Sequence, residues 1–226
     1  MKRGYFVTGT DTGVGKTLIA AALMHGFALA GSRVAGMKPV AAGAELADGR
    51  WLNEDVAQLQ AAANVDAPLG MINPYVFASP VAPHVAAREA GVELAIEPML
   101  AAFNGLQALA DTLVVEGAGG FLVPLNDRQD MGDLAVALGL PVILVVGMRL
   151  GCINHALLTV AAIEARGLTL AGWVANVIDA DMPCLEENLT SLRQRIEAPC
   201  LGMVPRLASV RFRQAAEYLQ LPAGFA

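Results

Sequence analysis

The run VTGTDTGVGKT, Val7 to Thr17, holds three glycines, four threonines and one lysine in eleven residues. Glycines at 9, 13 and 15 let a backbone turn sharply and approach an anion with no Cβ in the way. A short apolar run, Tyr5–Thr8, precedes it, and a stretch of helical period, Thr17–Ala30, follows. The first N–H groups of that helix have no intrahelical partner and point back at the loop, where they can bind phosphate oxygens. Lys16 places a full charge between β- and γ-phosphates, and the Thr17 hydroxyl can ligate Mg²⁺. Strand, glycine loop, Gly-Lys-Thr and helix together form the context of a P-loop. Gly9 lies six positions before Gly15, so this loop is one residue longer than GxxxxGKT. A purely structural glycine turn would explain the glycines but would leave Lys16 and Thr17 as coincidence.

Three further groups fall where they could meet that loop. Lys38 follows an expected strand in GMKPVAAG, and Pro39 biases it to extended backbone at the rim of a sheet; the competing reading is a surface lysine that ends a strand. Glu116 closes the apolar run of DTLVVEGAGG. A carboxylate at a strand end beside a P-loop is the Walker-B arrangement, an oxygen ligand suited to a hard cation. The glycines at 117, 119 and 120 leave room for backbone N–H groups to approach a substrate. Asp55, in WLNEDVAQL, opens an expected helix; from the residues alone it is equally a metal ligand or a carboxylate favoured by the helix dipole. His25 lies within the first helix, His84 in a Pro-rich loop and His155 at a helix start, with no metal-ligand spacing among them.

These groups need a scaffold that brings strand ends together. Expected strands are Tyr5–Thr8, Arg33–Met37, Thr112–Val115, Val142–Val146 and Ala171–Ala175. Several are continuous Val/Leu/Ile runs, as strands covered on both faces require. Expected helices alternate with them: Thr17–Ala30, Glu54–Ala63, Glu97–Ala110, Met131–Leu138, Asn154–Arg166 and Leu185–Ile196. The alternation implies one doubly wound α/β domain with a mostly parallel sheet over residues 1–226. Ligands of such sheets bind outside the carboxyl ends of the strands, where the groups above lie. Residues 41–55 and 117–130 read as loops.

Composition narrows the class further. Hydrophobic residues make up 55% and charged residues 16% of 226, enough for a large core. A net charge of −6 argues against nucleic acid as a partner, because phosphate contacts need clustered Lys and Arg. The segment RLASVRFR, 206–213, is the nearest to a basic run and reads as a solvated helix face. The most apolar stretch, LPVILVVGM at 140–148, is about half a membrane span. No signal-type apolar run follows Lys2 and Arg3, and three widely spaced cysteines fit a reducing compartment, so a cytoplasmic protein is expected.

The ordered motifs GTDTGVGKT, KPVAAG, NPYVFASPVAPH, VEGAGG, LPVILVVGMRLGCINHALLT and LAGWVAN closely resemble those of dethiobiotin synthetases, from Tyr5 to about Pro205. The resemblance implies a P-loop NTPase-like fold and an ATP- and Mg²⁺-dependent ligase of biotin synthesis. Such an enzyme closes the ureido ring on 7,8-diaminononanoate with CO₂, through a carbamate and a carbamic–phosphoric anhydride. Carried onto this chain, it implies catalytic roles for Lys16, Lys38 and Thr12, and Thr17, Asp55 and Glu116 as Mg²⁺ ligands. Gly13, Val14, Gly15, Lys16 and Thr17 would cradle the nucleotide, with Asn176, Pro205 and Arg206 near the base. Thr12, Lys38, Ala42 and the backbone of Gly117, Ala118 and Gly119 would face diamine and carbamate. The enzyme would be a homodimer whose Leu150, Gly151, Cys152, Ile153 and Asn154 reach the partner's substrate carboxylate; Arg149 receives no contact. Two positions depart from the family: many members carry Ser where Ala42 stands, and some carry Glu in place of Gly13. The lost hydroxyl removes one hydrogen bond, worth about 0.5–1.5 kcal/mol. A ParA/MinD-like ATPase switch is the main competing class, but its loop carries a second lysine where this one has Asp11. An amidotransferase-type ligase would need a glutaminase domain, for which no length remains. A non-catalytic nucleotide-binding module would leave Lys38 and GAGG without purpose.

Overall fold

The computed structural model describes residues 3–207 and 211–223. In chain order the elements are β1 (Arg3–Gly9), α1 (Lys16–Leu29), β2 (Val34–Met37), β3 (Val40–Ala42), β4 (Glu45–Ala47), β5 (Arg50–Leu52) and α2 (Glu54–Ala62). They continue with α3 (Leu69–Ile72), β6 (Tyr75–Phe77), α4 (Pro83–Glu89), α5 (Ile96–Leu109), β7 (Thr112–Glu116) and α6 (Met131–Leu138). The chain ends with β8 (Val142–Met148), α7 (Cys152–Ala165), β9 (Leu170–Val177), α8 (Leu185–Arg195), β10 (Cys200–Val204) and α9 (Phe212–Ala216).

Six strands form one parallel sheet in the order β10-β9-β8-β1-β7-β2. Every residue of β8 is buried, as its unbroken apolar sequence requires, yet the period of two still assigns each side chain to a face. Ile143 and Val145 join Tyr5 and Val7 against α1, whereas Leu144, Val146 and Met148 pack with Trp173 against α7 and α8. Phe6 points to the opposite face from Tyr5 and Val7, into the layer made with Leu106 of α5 and Leu134 of α6. Tyr5 stacks on Phe27 of α1, with ring centroids 5.4 Å apart and planes 6° from parallel. That contact pins α1 along β1, and thereby fixes where the loop between them can open. Each large side chain so buried contributes about 1.5–3 kcal/mol.

All five expected strands and six expected helices exist, with ends displaced by up to two residues. The structure adds β10, α3, α4, α9 and two small sheets, β3 with β6 and β4 with β5. Residues 41–55, expected as loop, hold the β4–β5 hairpin. Its turn is Asp48-Gly49, both at positive φ (49° and 73°), the two-residue signature that matches the twist of a hairpin. His84, expected in a loop, lies in α4, because Pro83 fits the first helical position. Helix α7 begins at Cys152, two residues before the expected Asn154. Of the basic segment 206–213, residues 208–210 lie outside the described residues, and Phe212 and Arg213 begin α9.

Candidate functional site

The P-loop turns at Gly15 (φ 85°), and no side chain among the described residues caps the start of α1, so its first N–H groups face the crevice. A Cβ on Gly9 would sit 2.6 Å from the Val14 side chain, and one on Gly119 (φ 65°) 2.8 Å from Val123; both positions demand glycine. Lys16 Nζ donates to Asp11 O at 2.9 Å and thus lies along the inside of its own loop. Burial, with Lys38 as the second cause, pushes its pKa down to about 8.

Opposite the loop, β2 and β7 end side by side, with Met37 in register with Val115. Lys38 and Glu116 therefore leave neighbouring strand ends. Lys38 Nζ lies 2.6 Å from Glu116 Oε1 and 2.8 Å from Asp55 Oδ2. The Lys38 and Glu116 side chains are 5% and 1% exposed, so this is a desolvated pair, while Asp55 at 40% remains half in water. Burial lowers the pKa of Lys38, but Glu116 and Asp55 outweigh it and the net shift is upward. Burial likewise raises Asp55, and Lys38 overrides it to hold the carboxyl below its usual value.

Asp55 is placed by its helix start: Asn53 accepts from the backbone N–H of Asp55 (3.1 Å) and Val56 (3.2 Å) and donates to Ala42 O (3.2 Å). The Lys38 backbone is held by Asn73, whose Nδ2 donates to Lys38 O at 2.6 Å and Tyr75 O at 2.8 Å. Neither asparagine was singled out from sequence, although Asn73 stands in the NPY motif.

The Thr17 hydroxyl lies 2.8 Å from both Asp55 Oδ1 and Glu116 Oε1. It has one proton to donate between two carboxylate oxygens, so one of those close oxygen pairs has no hydrogen between its members. Glu116 Oε2 is buried with no hydrogen-bond partner among the described residues. Three oxygens drawn together with too few protons form a donor set that fits a hard divalent cation. Among the described residues no group of three His, Cys, Asp or Glu side chains could hold a metal ion.

A crevice of about 640 Å³ opens over these groups. Of the residues expected at the site, it is lined by Thr12, Gly13, Gly15, Lys16, Thr17, Lys38, Ala42, Asp55, Glu116, Ala118 and Gly119. Val14 is buried beneath the loop, and Gly117 N–H donates to Val7 O at 3.0 Å, continuing the sheet and leaving only its carbonyl for other contacts. Asn176 and Arg206 lie at the adjoining ends of β9 and β10, where Arg206 Nη1 donates to Ile178 O at 2.9 Å; Pro205 directly follows β10. Leu150 to Asn154 do not line the crevice; Gly151 (φ 94°) turns the chain into α7, and Leu150 is 85% exposed. Arg149, given no contact from sequence, pairs with the Asp11 carboxylate, which also accepts from Thr12 N–H. The Thr12 hydrogen bond, then Arg149, hold the Asp11 carboxyl below its ordinary pKa against the effect of partial burial.

Sequence reasoning missed the apolar wall of the crevice, made by Val40, Pro80, Val81, Ala82, Pro83 and Val123. Its signal was the SPVAP run, too short and irregular to show a periodicity. A second cleft of about 670 Å³ lies between α4 and residues 125–129, but its Arg88 and Asp127 are solvent-exposed and 3.9 Å apart.

The parallel sheet with its glycine-rich strand–helix loop makes this a P-loop NTPase-like α/β protein. Solved structures agree at the level of fold: MinD with Mg-ADP from Pyrococcus horikoshii has a TM-score of 0.57 at 16% identity, covering 99% of this chain and 88% of its own. The MinC:MinD complex of Aquifex aeolicus gives 0.55 at 16% identity, covering 95% and 86%. A family model described as an AAA domain matches residues 3–214. The ATP-dependent dethiobiotin synthetase BioD of Aromatoleum aromaticum is 59% identical over 97% of this chain and 98% of its own length. Those of Nitrosospira multiformis and Ralstonia nicotianae are 56% and 53% identical, over 91% and 96% of this chain and 89% and 94% of theirs. The chain belongs to the dethiobiotin synthetase family and is an ATP-dependent ligase. Among the described residues no helix is long and apolar enough to cross a membrane.

Proposed function

We propose that this crevice joins CO₂ to the two amines of 7,8-diaminononanoate, with ATP as the driving phosphoryl donor, to give dethiobiotin, ADP and phosphate. The supporting observation is the buried Lys38–Glu116 pair facing the P-loop, with Thr17 and Asp55 beside it. One amine and CO₂ form a carbamate. Its oxygen attacks the γ-phosphorus and ADP leaves. The second amine then attacks the carbonyl carbon, and phosphate departs with the oxygen that came from CO₂.

Lys16 exchanges Asp11 O for the β- and γ-phosphates, and the first N–H groups of α1 bind phosphate oxygens. Lys38 holds the carbamate oxygens against the γ-phosphoryl group, so its contribution is positioning plus stabilisation of developing charge. Thr17, Asp55 and Glu116 hold Mg²⁺, which when bound neutralises phosphate charge. Thr12, Ala42 and the Ala118–Gly119 backbone border the reacting amines, and the apolar wall takes the alkyl chain. Asn176, Pro205 and Arg206 face the base. The enzyme is a cytoplasmic homodimer in which the exposed Leu150 to Asn154 segment meets the partner's substrate carboxylate. The N-terminus of α7 there suits an anion.

Turnover with ¹⁸O-labelled bicarbonate tests the chemistry. One labelled oxygen per phosphate is expected; unlabelled phosphate, formed by attack of water, would overturn it.

A further inference from the structure

Asn176 carries a contact that base recognition does not need. Its Nδ2 donates to Val14 O, inside the P-loop, at 2.8 Å, and the side chain is 5% exposed. It stands at the end of β9, in register with Gly147 of β8 and Val204 of β10, and β8 lies between it and the strand that bears the loop. The loop spans that gap. Val14 lies over β8, where a Cβ on Gly147 would come within 2.7 Å of it, and its carbonyl reaches Asn176. The amide then packs directly beneath Gly15: a Cβ there would approach Nδ2 to 2.2 Å. Gly15 is also the left-handed residue, at φ 85° and ψ 29°, that aims the first N–H groups of α1 into the crevice.

We propose that Asn176 is a positioning residue for the phosphate loop: by holding Val14 O it fixes the turn at Gly15, and so acts on the phosphates as well as on the base. The amide has an oxygen left for a purine amino group, so one side chain ties base recognition to the shape of the phosphate cradle. A wrong base, unable to settle that amide, would then weaken phosphate binding too.

The inference rests on the reading of residues 9–17 as a phosphate loop, and the test separates the two. Magnesium tripolyphosphate has the phosphates of the nucleotide and no base. Its Kd, by calorimetry, is compared for wild type, Asn176→Ala and Asn176→Asp, alongside that of ATP and the kcat at saturating ATP. Both substitutions remove the donor to Val14. Tripolyphosphate binding should weaken about fivefold, the factor for roughly 1 kcal/mol of net hydrogen bonding. ATP should weaken at least as much, because the same side chain also meets the base, and kcat at saturating ATP should fall by a smaller factor than the affinity does. An unchanged Kd for tripolyphosphate in a folded variant, with only ATP weakened, would confine Asn176 to the base and overturn the proposal. Should Ala lower the melting temperature too far, the isosteric Asp supplies the comparison at low temperature. If wild type itself takes up no tripolyphosphate, the phosphate-loop reading fails and this inference with it.

Discussion

Replacing Lys38 with Met removes a charge from the most desolvated part of the site while keeping most of the length of the side chain. The consequence follows from what Lys38 touches. Its contact with Asp55, 40% exposed, is screened by water and matters little. Its contact with Glu116, 1% exposed and 2.6 Å away, does not have that screening. Loss of Lys38 leaves a buried carboxylate unpaired, which typically costs about 3–5 kcal/mol. For a chain of this size that corresponds to a melting temperature lower by about 6–20 °C. Folded domains hold only about 5–15 kcal/mol in reserve, so the variant is a severe one without ligand. The double variant Lys38→Met/Glu116→Gln removes the stranded charge as well. It should recover at least about 1.5 kcal/mol relative to the sum of the single effects. Urea unfolding of the four proteins at one pH measures the cycle. A melting shift under about 2 °C for Lys38→Met, or strictly additive free energies, would refute the claim that a desolvated pair organises the site. The double variant should still lack turnover, since restored stability does not restore the charge that holds the reacting groups.

Glu116→Gln strands the buried Lys38 ammonium, so it should destabilise the ligand-free protein, and it also removes a proposed cation ligand. The Mg²⁺ half-saturation of the folded variant should rise about tenfold or more, and an unaltered Mg²⁺ titration would exclude Glu116 as a ligand. Asn53→Ala should cost about 1 kcal/mol from the lost cap of α2 and also raise the Mg²⁺ requirement, because Asp55 rides on that helix start; calorimetric melting with and without Mg²⁺ checks both effects. Lys16 gives a pH signature. With its pKa near 8 in the folded protein against 10.5 in the open chain, the unfolded state binds more protons between those values. The Lys16 contribution to nucleotide-free stability therefore rises with pH across that window, seen as the difference between wild type and Lys16→Met. Triphosphate binding runs the other way, since it needs the charged ammonium. Affinity should fall above pH 8 by up to about tenfold per pH unit, and a flat profile from pH 7 to 9 would count against Lys16 as the phosphate ligand.

The strands whose sequences are continuous apolar runs were legible because burial on both faces leaves no other composition. Glu116 and Lys38 were legible for a related reason: each is the first charged residue after such a run, so the sheet must deliver it to the rim. β10 was not, because Cys200 to Val204 contains Gly202 at φ 153° and is only partly buried, being the edge of the sheet. The β4–β5 hairpin carried its Asp-Gly turn in plain view, but strands of three residues are too short to show alternation. The metal-type donor set needed both levels: the P-loop spacing nominated Thr17, while the meeting of its hydroxyl with both Asp55 and Glu116 exists only once α2 and β7 are folded together. The bonds from Asn53, Asn73 and Asn176 to backbone carbonyls could not be read from sequence, since an asparagine's partner is set by the tertiary approach of distant segments.

Phosphate release from MgATP and bicarbonate, followed with and without 7,8-diaminononanoate, bears most directly on the central claim that the crevice couples phosphoryl transfer to ring closure. Release should depend on the diamine and match ring-closed product one for one. Equal release without the diamine would show a nucleotide hydrolase in this crevice and contradict the account.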